Sequence, residues 1–330
     1  MPRTQHSSGD ATKQRRTPNA SANGGDIPRS PFGHTGELVS ALALGGYHLG
    51  LVGNQREAIR IVQAAIDAGI TFMDNAWEYH EGESEEIMGK ALAGRRDHVF
   101  LMTKVCTHGR DRKVAMRQLH QSLRRLRTDH VDLWQIHECV YPNDPERHFA
   151  PGGAVEALVE AREKGLVRYV GFTGHKLPEI HLDMLSRDFH FDAVQMPLNC
   201  FDASYRSFEH NVLPEANRRG LAVLGMKSMG GEADAVRKRV VTAAEALRYA
   251  MSLPVTTTVS GIDSVRVLRQ NVRIAREFTP MSPAEMQALR DRVAGEAADG
   301  RYELYKSTAK HEGDVGRKQH GFPPQDEVAA

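Results

Sequence analysis

Asp74, Lys104 and His137 each end a short apolar run of this 330-residue chain, and Tyr79 follows five positions after Asp74. A charged group at the end of a buried strand is unfavourable unless it is paired or put to use. Asp74 and Lys104 fall on successive runs, so an ion pair between them would satisfy both. The ammonium end of such a pair would draw the Tyr79 phenol below its usual value of about 10. A phenol tuned in this way donates a proton to a substrate carbonyl, and His137, on the next run, hydrogen-bonds the same oxygen. Singly, each residue has an ordinary structural use: an acid at a strand edge, its lysine partner, a satisfied core imidazole. Their shared position is what points to chemistry.

Something must hold these positions, and the surrounding pattern supplies it. From residue 54 onward an amphipathic stripe and a short apolar run take turns. Ala58, Ile61, Val62, Ala65 and Ile66 make one helical stripe over 54–69, closed by Gly69 and followed by a strand over 70–74. Ser84 reads as the N-cap of the next helix, with Glu85 and Glu86 in its first turn, where the dipole favours negative charge. Strands are expected at 99–104, 131–137, 167–172, 192–196, 221–226 and 255–260. Helices at 112–127, 153–164, 177–186, 207–218, 236–251 and 264–275 alternate with them. A first strand near 38–44 completes eight strand–helix repeats, the count of a closed (β/α)8 TIM barrel, in which chemistry sits at the C-terminal ends of the strands. A doubly wound sheet would call for Gly-x-Gly-x-x-Gly after the first strand. Gly45-Gly46-Tyr47-His48-Leu49-Gly50 lacks that spacing, and the stretch from Gly82 to Gly89-Lys90-Ala91 fails the phosphate-loop pattern.

Composition narrows the partners. Forty-three basic against 42 acidic side chains give a net charge of +1, which leaves no global field for nucleic acid or anionic membrane. No apolar run reaches the roughly 18 residues of a membrane span. The three cysteines, Cys106, Cys139 and Cys200, form neither a disulfide scaffold nor a CxxC pair, and fit a reducing cytoplasm. Residues 1–34 read as a disordered tail, and Arg15-Arg16 is followed by polar residues where a twin-arginine signal needs an apolar stretch. The barrel is expected over 35–296, its last helix opened by Ser282-Pro283. An extension over 297–330 keeps Tyr302, Leu304, Tyr305 and Phe322, and is either a frayed tail or a segment folded back over the barrel mouth.

Asp74-Asn75-Ala76-Trp77-Glu78-Tyr79, then Ser84-Glu85 with Gly89-Lys90-Ala91-Leu92, resembles the aldo-keto reductase signature. Lys104, Ser122-Leu123-Arg124-Arg125-Leu126, Val131-Asp132-Leu133, His137, Gly165 through Thr173, Gln195, Asn199 and the stretch from Gly261 to Asn271 follow in the family's order. The resemblance implies a reduced nicotinamide, NADPH favoured over NADH, that passes hydride to an aldehyde or ketone. It implies a tetrad of Asp74, Tyr79, Lys104 and His137, with Tyr79 as general acid. It implies cofactor contacts along Gly46, Thr173, Gln195, Asn199, Met226, Gly261, Arg266 and Asn271, with Arg266 and Arg269 facing a 2′-phosphate. Two positions depart from the family pattern. Gly174 stands where an asparagine usually follows the Ser/Thr, and Met226 stands where an aromatic residue usually stacks on the nicotinamide.

Other functions use the same residues. Asp74, His137, Glu138 and His175 are metal-type ligands at strand ends, as in a metal-dependent barrel hydrolase, although Leu42-Ala43-Leu44 occupies the place of the usual HxH pair. A nucleotide-binding subunit without turnover is the third possibility. On the favoured reading no metal is needed and the partner is a small carbonyl compound. Substrate choice falls to loops: Trp77, Tyr141, 141–152, 228–235 and the C-terminal segment.

Overall fold

The computed structural model describes residues 25–309 and 311–328, so the tail expected over 1–24 lies outside the described residues. Ten strands are present among them: β1 (Arg29–Pro31), β2 (Leu38–Ser40), β3 (Leu42–Gly45), β4 (Phe72–Asp74), β5 (Phe100–Val105), β6 (Val131–Ile136), β7 (Val167–Thr173), β8 (Ala193–Pro197), β9 (Ala222–Met226) and β10 (Thr257–Gly261). The last eight close into a parallel barrel in chain order, with β10 paired back onto β3. Strands short and apolar enough to be buried on both faces, each followed by a helix, close in this way because the helices cover the outer face.

The first expected strand divides in two. Leu38–Ser40 pairs antiparallel with Arg29–Pro31 in a separate hairpin, and only Leu42–Gly45 enters the barrel. Residues 25–34 therefore belong to the folded body rather than to a disordered tail. Phe32, at 0% exposure, explains why: its ring lies 4.6 Å from Phe100, 5.6 Å from Tyr169 and 6.3 Å from Phe72. These aromatics join Val39, Ala43, Met102, Leu133 and Leu224 in the core that fills the barrel interior. The larger core lies between strands and helices, where Ala58, Ile61, Val62 and Ala65 form the buried stripe of helix Gln55–Asp67.

Two helices depart from expectation. The stretch 207–218 breaks into Phe208–Asn211 and Leu213–Arg218, because Pro214 withholds an amide and opens the second segment. The helix expected at 236–251 starts at Ala243, where Thr242 and Glu245 form a reciprocal capping box; Arg239 before it has φ 60°. The helix after Ser282 runs Pro283–Ala297 with the same type of cap. No helix among the described residues is long and apolar enough to cross a membrane.

Candidate active site

The C-terminal rim of the barrel gathers the four residues first singled out. Asp74 ends β4, Lys104 is the penultimate residue of β5, and His137 is the first residue beyond β6. Beyond β4 the backbone keeps bonding to β5: the Asn75 amide donates to Met102 O at 3.1 Å and the Trp77 amide to Lys104 O at 3.1 Å. This extended pairing carries Tyr79 back toward the lysine.

Ser84 and Glu85 brace that loop from below. Ser84 is not the N-cap of its helix, which runs Glu83–Ala91 behind Gly82, a left-handed residue at φ 96°. That conformation is one L side chains rarely adopt, so glycine stands at the cap position and the helix starts at Glu83. Ser84 Oγ instead donates to Gly46 O at 2.7 Å. Glu85, fully buried, accepts from Thr103 Oγ1 at 2.6 Å and from Arg125 at 3.2 Å, and Arg125 also donates to Trp77 O at 2.8 Å.

Lys104 is 1% exposed and all three donors of its ammonium have acceptors. It donates to Asp74 Oδ1, to Asn75 O at 2.8 Å and to Tyr79 Oη at 3.2 Å. Gln195 Nε2 donates to the second Asp74 oxygen at 2.8 Å. Four elements thus fix the ammonium beside the phenol. The expected depression of the Tyr79 phenol is not found. Its pKa lies well above the ordinary value, first because the ring is desolvated, then because Asp74, Glu78 and Glu138 place negative charge nearby. The charge of Lys104 is largely committed to Asp74, so the acids outweigh it at the phenol. Burial also pulls Lys104 below its ordinary value, with Asp74 opposing. In this state Tyr79 keeps its proton, as a general acid must.

His137 stands edge-on to Tyr79, with ring centroids 5.6 Å apart, and its Nδ1 lies 2.6 Å from Glu78 Oε1. Burial holds the imidazole below its ordinary pKa, against the pull of Glu78. With Nδ1 engaged by Glu78, Nε2 is the nitrogen left for a substrate oxygen. A proton on Nε2 is stabilised by the same carboxylate. Glu78 was no candidate from sequence, although it adjoins Tyr79 within the quoted motif; an acid beside a candidate proton donor was the available signal. Lys227, just past β9 at φ 56°, was also missed. Its Nζ lies 4.8 Å from the Tyr305 ring, and Glu138 is the main opposite charge acting on it.

The expected cofactor residues divide. Gln195 and Asn271 are buried amides, each with an oxygen that has no hydrogen-bond partner among the described residues. Asn271 Nδ2 donates to Ser260 Oγ at 3.0 Å. Gly261 is exposed at the end of β10, and Ser264 caps helix Val265–Arg276, whose first turn carries no acid. Arg266 and Arg269 are exposed on that helix. Thr173 is buried at the end of β7 and Met226 half-buried at the end of β9. Gly46 is a close-packing position, where a Cβ would lie 2.5 Å from Asp74 O. Asn199 has its polar capacity committed elsewhere. Its Oδ1 accepts from the Phe201 and Asp202 amides, and its Nδ2 reaches Glu303 and Tyr305 Oη at 3.0 Å each. It is an anchor for the C-terminal segment, because an asparagine at a turn bonds the backbone two and three residues on.

That segment folds back over the rim. Lys306, 0% exposed, pairs with Asp202 at 2.6 Å and Glu303 at 2.9 Å. Glu312 accepts from Tyr141 Oη at 2.8 Å and Arg317 at 2.9 Å, and also binds Lys176. The Gly313 amide donates to Glu138 Oε2 at 3.1 Å. Tyr141 stacks on His320 at 3.8 Å. Trp77, expected among the specificity residues, donates its indole N–H to Gln121 at 2.6 Å and is braced by Arg125.

The aldo/keto reductase family profile matches residues 41–241, a span that holds the barrel strands β3 to β9 and the four rim residues. The chain belongs to that family. It is similar to the aldo-keto reductase YhdN of Bacillus subtilis, 29% identical over 204 residues, which are 58% of this chain and 58% of the relative. It is also similar to the uncharacterized oxidoreductase YrpG of the same organism, 31% identical over 222 residues, 61% and 66% of the two chains. Both are matched over less than two thirds of their own length. Among solved structures, the holo form of an aldo-keto reductase from Bacillus halodurans superposes with a TM-score of 0.67 at 25% identity, covering 80% of this chain and 95% of that one. An aldo/keto reductase from Klebsiella pneumoniae, solved with NADP and acetate, shares the fold at a TM-score of 0.67 and 24% identity, over 80% and 95% of the chains.

Proposed function

We propose that this protein is a cytoplasmic, NADPH-dependent reductase of small aldehydes or ketones, with Tyr79 as the proton donor. One observation carries the reading: a phenol whose oxygen lies 3.2 Å from a buried ammonium that is itself locked to Asp74. The unpartnered oxygens of Gln195 and Asn271, together with an acid-free helix N-terminus beside Arg266, fit a dinucleotide laid from β8 to β10. Gln195 would take the carboxamide end, Asn271 the adenine, and Arg266 the 2′-phosphate. When bound, the reduced nicotinamide supplies the hydride.

The chain's own residues do the rest. Tyr79 holds its proton in the resting state and releases it as negative charge develops on the substrate oxygen. Lys104, 3.2 Å away, stabilises the phenolate left behind. Asp74 and Gln195 keep that ammonium from turning aside. His137, steadied by Glu78, orients the carbonyl and stabilises its developing charge. The C-terminal segment limits solvent at the rim.

The test is fluorescence titration with NADPH and NADH, followed by a carbonyl panel read at the dihydronicotinamide absorbance. NADPH is expected to bind and at least one carbonyl class to turn over. Tyr79→Phe is expected to bind NADPH unchanged while turnover falls by about 10²–10⁴-fold. Equal turnover in this variant would sink the assignment of Tyr79.

A further inference from the structure

Three lysines of the rim have carboxylate partners: Lys104 with Asp74, Lys306 with Asp202 and Glu303, and Lys176 with Glu312. Lys227, just past β9, is half-buried, and its Nζ has neither a hydrogen bond nor an ion pair among the described residues. Its main chain is fixed: Asn199 Nδ2 donates to Lys227 O at 3.3 Å and the Gly230 amide donates to the same oxygen at 2.9 Å. A φ of 56° is unfavourable for lysine, and such strain persists where the surroundings enforce it, typically at binding sites. A half-buried ammonium without an anion is unfavourable as well. Glu138 is the main opposite charge acting on it but makes no ion pair with it. The Oε2 of Glu138 accepts from the Gly313 amide, and burial beside Glu78 raises this carboxyl well above its ordinary pKa.

The Tyr305 ring ties this ammonium to a second unsatisfied group. Lys227 Nζ lies 4.8 Å from the ring centroid, and the His175 ring meets Tyr305 edge-on at 5.9 Å and 89°. His175 is 5% exposed, and its Nε2 has no hydrogen-bond partner among the described residues. Burial first, then the charge of Lys227, hold that imidazole well below its ordinary pKa. It is therefore neutral, with one N–H to offer an anion beside the three of the ammonium. Lys104 acts on Lys227, His137 on His175, and Glu138 on both Lys227 and Tyr79, so the pair shares the mouth in which Tyr79 works. Glu78 and Glu138 in the same mouth favour a monoanion over a doubly charged phosphate. We propose that Lys227 and His175 form a carboxylate subsite, and that the preferred substrate is an oxo acid whose carbonyl lies at Tyr79 and His137. The inference rests on the reductase reading and names its substrate class. The carboxylate is unchanged by the reduction; it supplies binding and orientation.

The test compares kcat/KM for oxo acids of two to six carbons with that for neutral aldehydes of the same length. The wild type is expected to favour at least one acid over its neutral counterpart. Lys227→Met is expected to lower that acid-to-neutral ratio about tenfold or more, and Lys227→Arg, which keeps the charge, to retain most of it. An unchanged ratio in Lys227→Met overturns the subsite. So does weaker binding of NADPH and NADH alike with the ratio intact, which assigns the ammonium to the diphosphate of the cofactor. Should Lys227→Met fail to fold, His175→Leu decides, with an expected fall of about fivefold in the same ratio. A wild type that turns over no carbonyl at all fails the reductase reading, and calorimetric titration of the full chain with the same oxo acids still reads the subsite. Binding weakened about tenfold by Lys227→Met supports it, and equal or absent binding overturns it.

Discussion

The two ends of the barrel are built from opposite materials. At the N-terminal end the hairpin of β1 and β2 presses Phe32 against Phe72, Phe100 and Tyr169, and Phe100 lies nearly parallel to Tyr169 at 6.0 Å and 7°. At the C-terminal end the buried side chains include Asp74, Lys104 and His137, and the oxygens of Gln195 and Asn271 and Nε2 of His175 have no hydrogen-bond partner among the described residues. An apolar plug gains free energy simply by being covered, whereas unsatisfied buried polar atoms lose it until a ligand arrives. One end therefore stabilises the fold through burial, and the other carries polar groups that a ligand can satisfy.

Lys104→Met strikes the point where that contrast is sharpest. It removes the ammonium beside Tyr79 and strands the Asp74 carboxylate in the interior. Turnover on the best carbonyl substrate is expected to fall by about 10²-fold or more. Urea unfolding should show a loss of about 3–5 kcal/mol, the usual consequence of breaking a buried pair on one side. An effect on stability alone would confine the lysine to a structural role.

Phe32→Ala is the mirror experiment. Loss of a fully buried phenylalanine ring is expected to destabilise the fold by about 3–5 kcal/mol. Because the plug is at the far end, kcat and KM of the folded fraction are expected to match the wild type. A changed kcat at a temperature where the variant is fully folded would break the division between the two ends.

Much of this division was legible in the chain, though unevenly. The eight-fold alternation could be read because apolar stripes and runs are local signals. The rim was legible because Asp74, Lys104 and His137 end successive runs. The plug was not. Phe32 stands in a polar stretch, and its burial depends on a hairpin whose partner, Leu38–Ser40, reads as part of the first barrel strand. Ser84 reads as an N-cap because an N-cap serine and a serine bonding a distant carbonyl look alike in sequence; the left-handed Gly82 takes the cap position instead. The bonds of Asn199 to Glu303 and Tyr305 could not be read from sequence, because these partners are about a hundred residues away, beyond any local pattern. The direction of the Tyr79 shift depends on the sum of burial and three acids, which spacing alone cannot rank.

Two buried histidines, His148 and His181, make the scaffold acid-sensitive. His181 Nε2 donates to Gln195 O at 3.2 Å, and burial lowers its pKa to about 4; His148 is likewise lowered to about 4. A histidine buried neutral binds its proton more weakly in the folded chain than in the unfolded one. Its contribution is intact above the unfolded value and is lost as pH falls from about 6.5 to about 4. Each of these two groups accounts for about 3 kcal/mol over that window. His181→Phe is expected to flatten the dependence of urea stability on pH by about one proton's worth. An unchanged slope would place the acid sensitivity elsewhere.

The smallest expected effect is at the edge of the rim, on cofactor choice. Arg266 is exposed in the first turn of helix Val265–Arg276, where Ser264 accepts from the Val267 amide at 3.3 Å and no acid competes for an anion. Its guanidinium is suited to a phosphate through paired N–H groups. An exposed charge pair is screened by salt and worth about 1 kcal/mol. Arg266→Ser is therefore expected to raise the Kd for NADPH roughly five- to tenfold while leaving that for NADH unchanged, with the difference shrinking at high ionic strength. Equal weakening of both cofactors would mean that the arginine supports the helix rather than the 2′-phosphate. In that case Arg269, exposed on the same helix, is the next cation to replace.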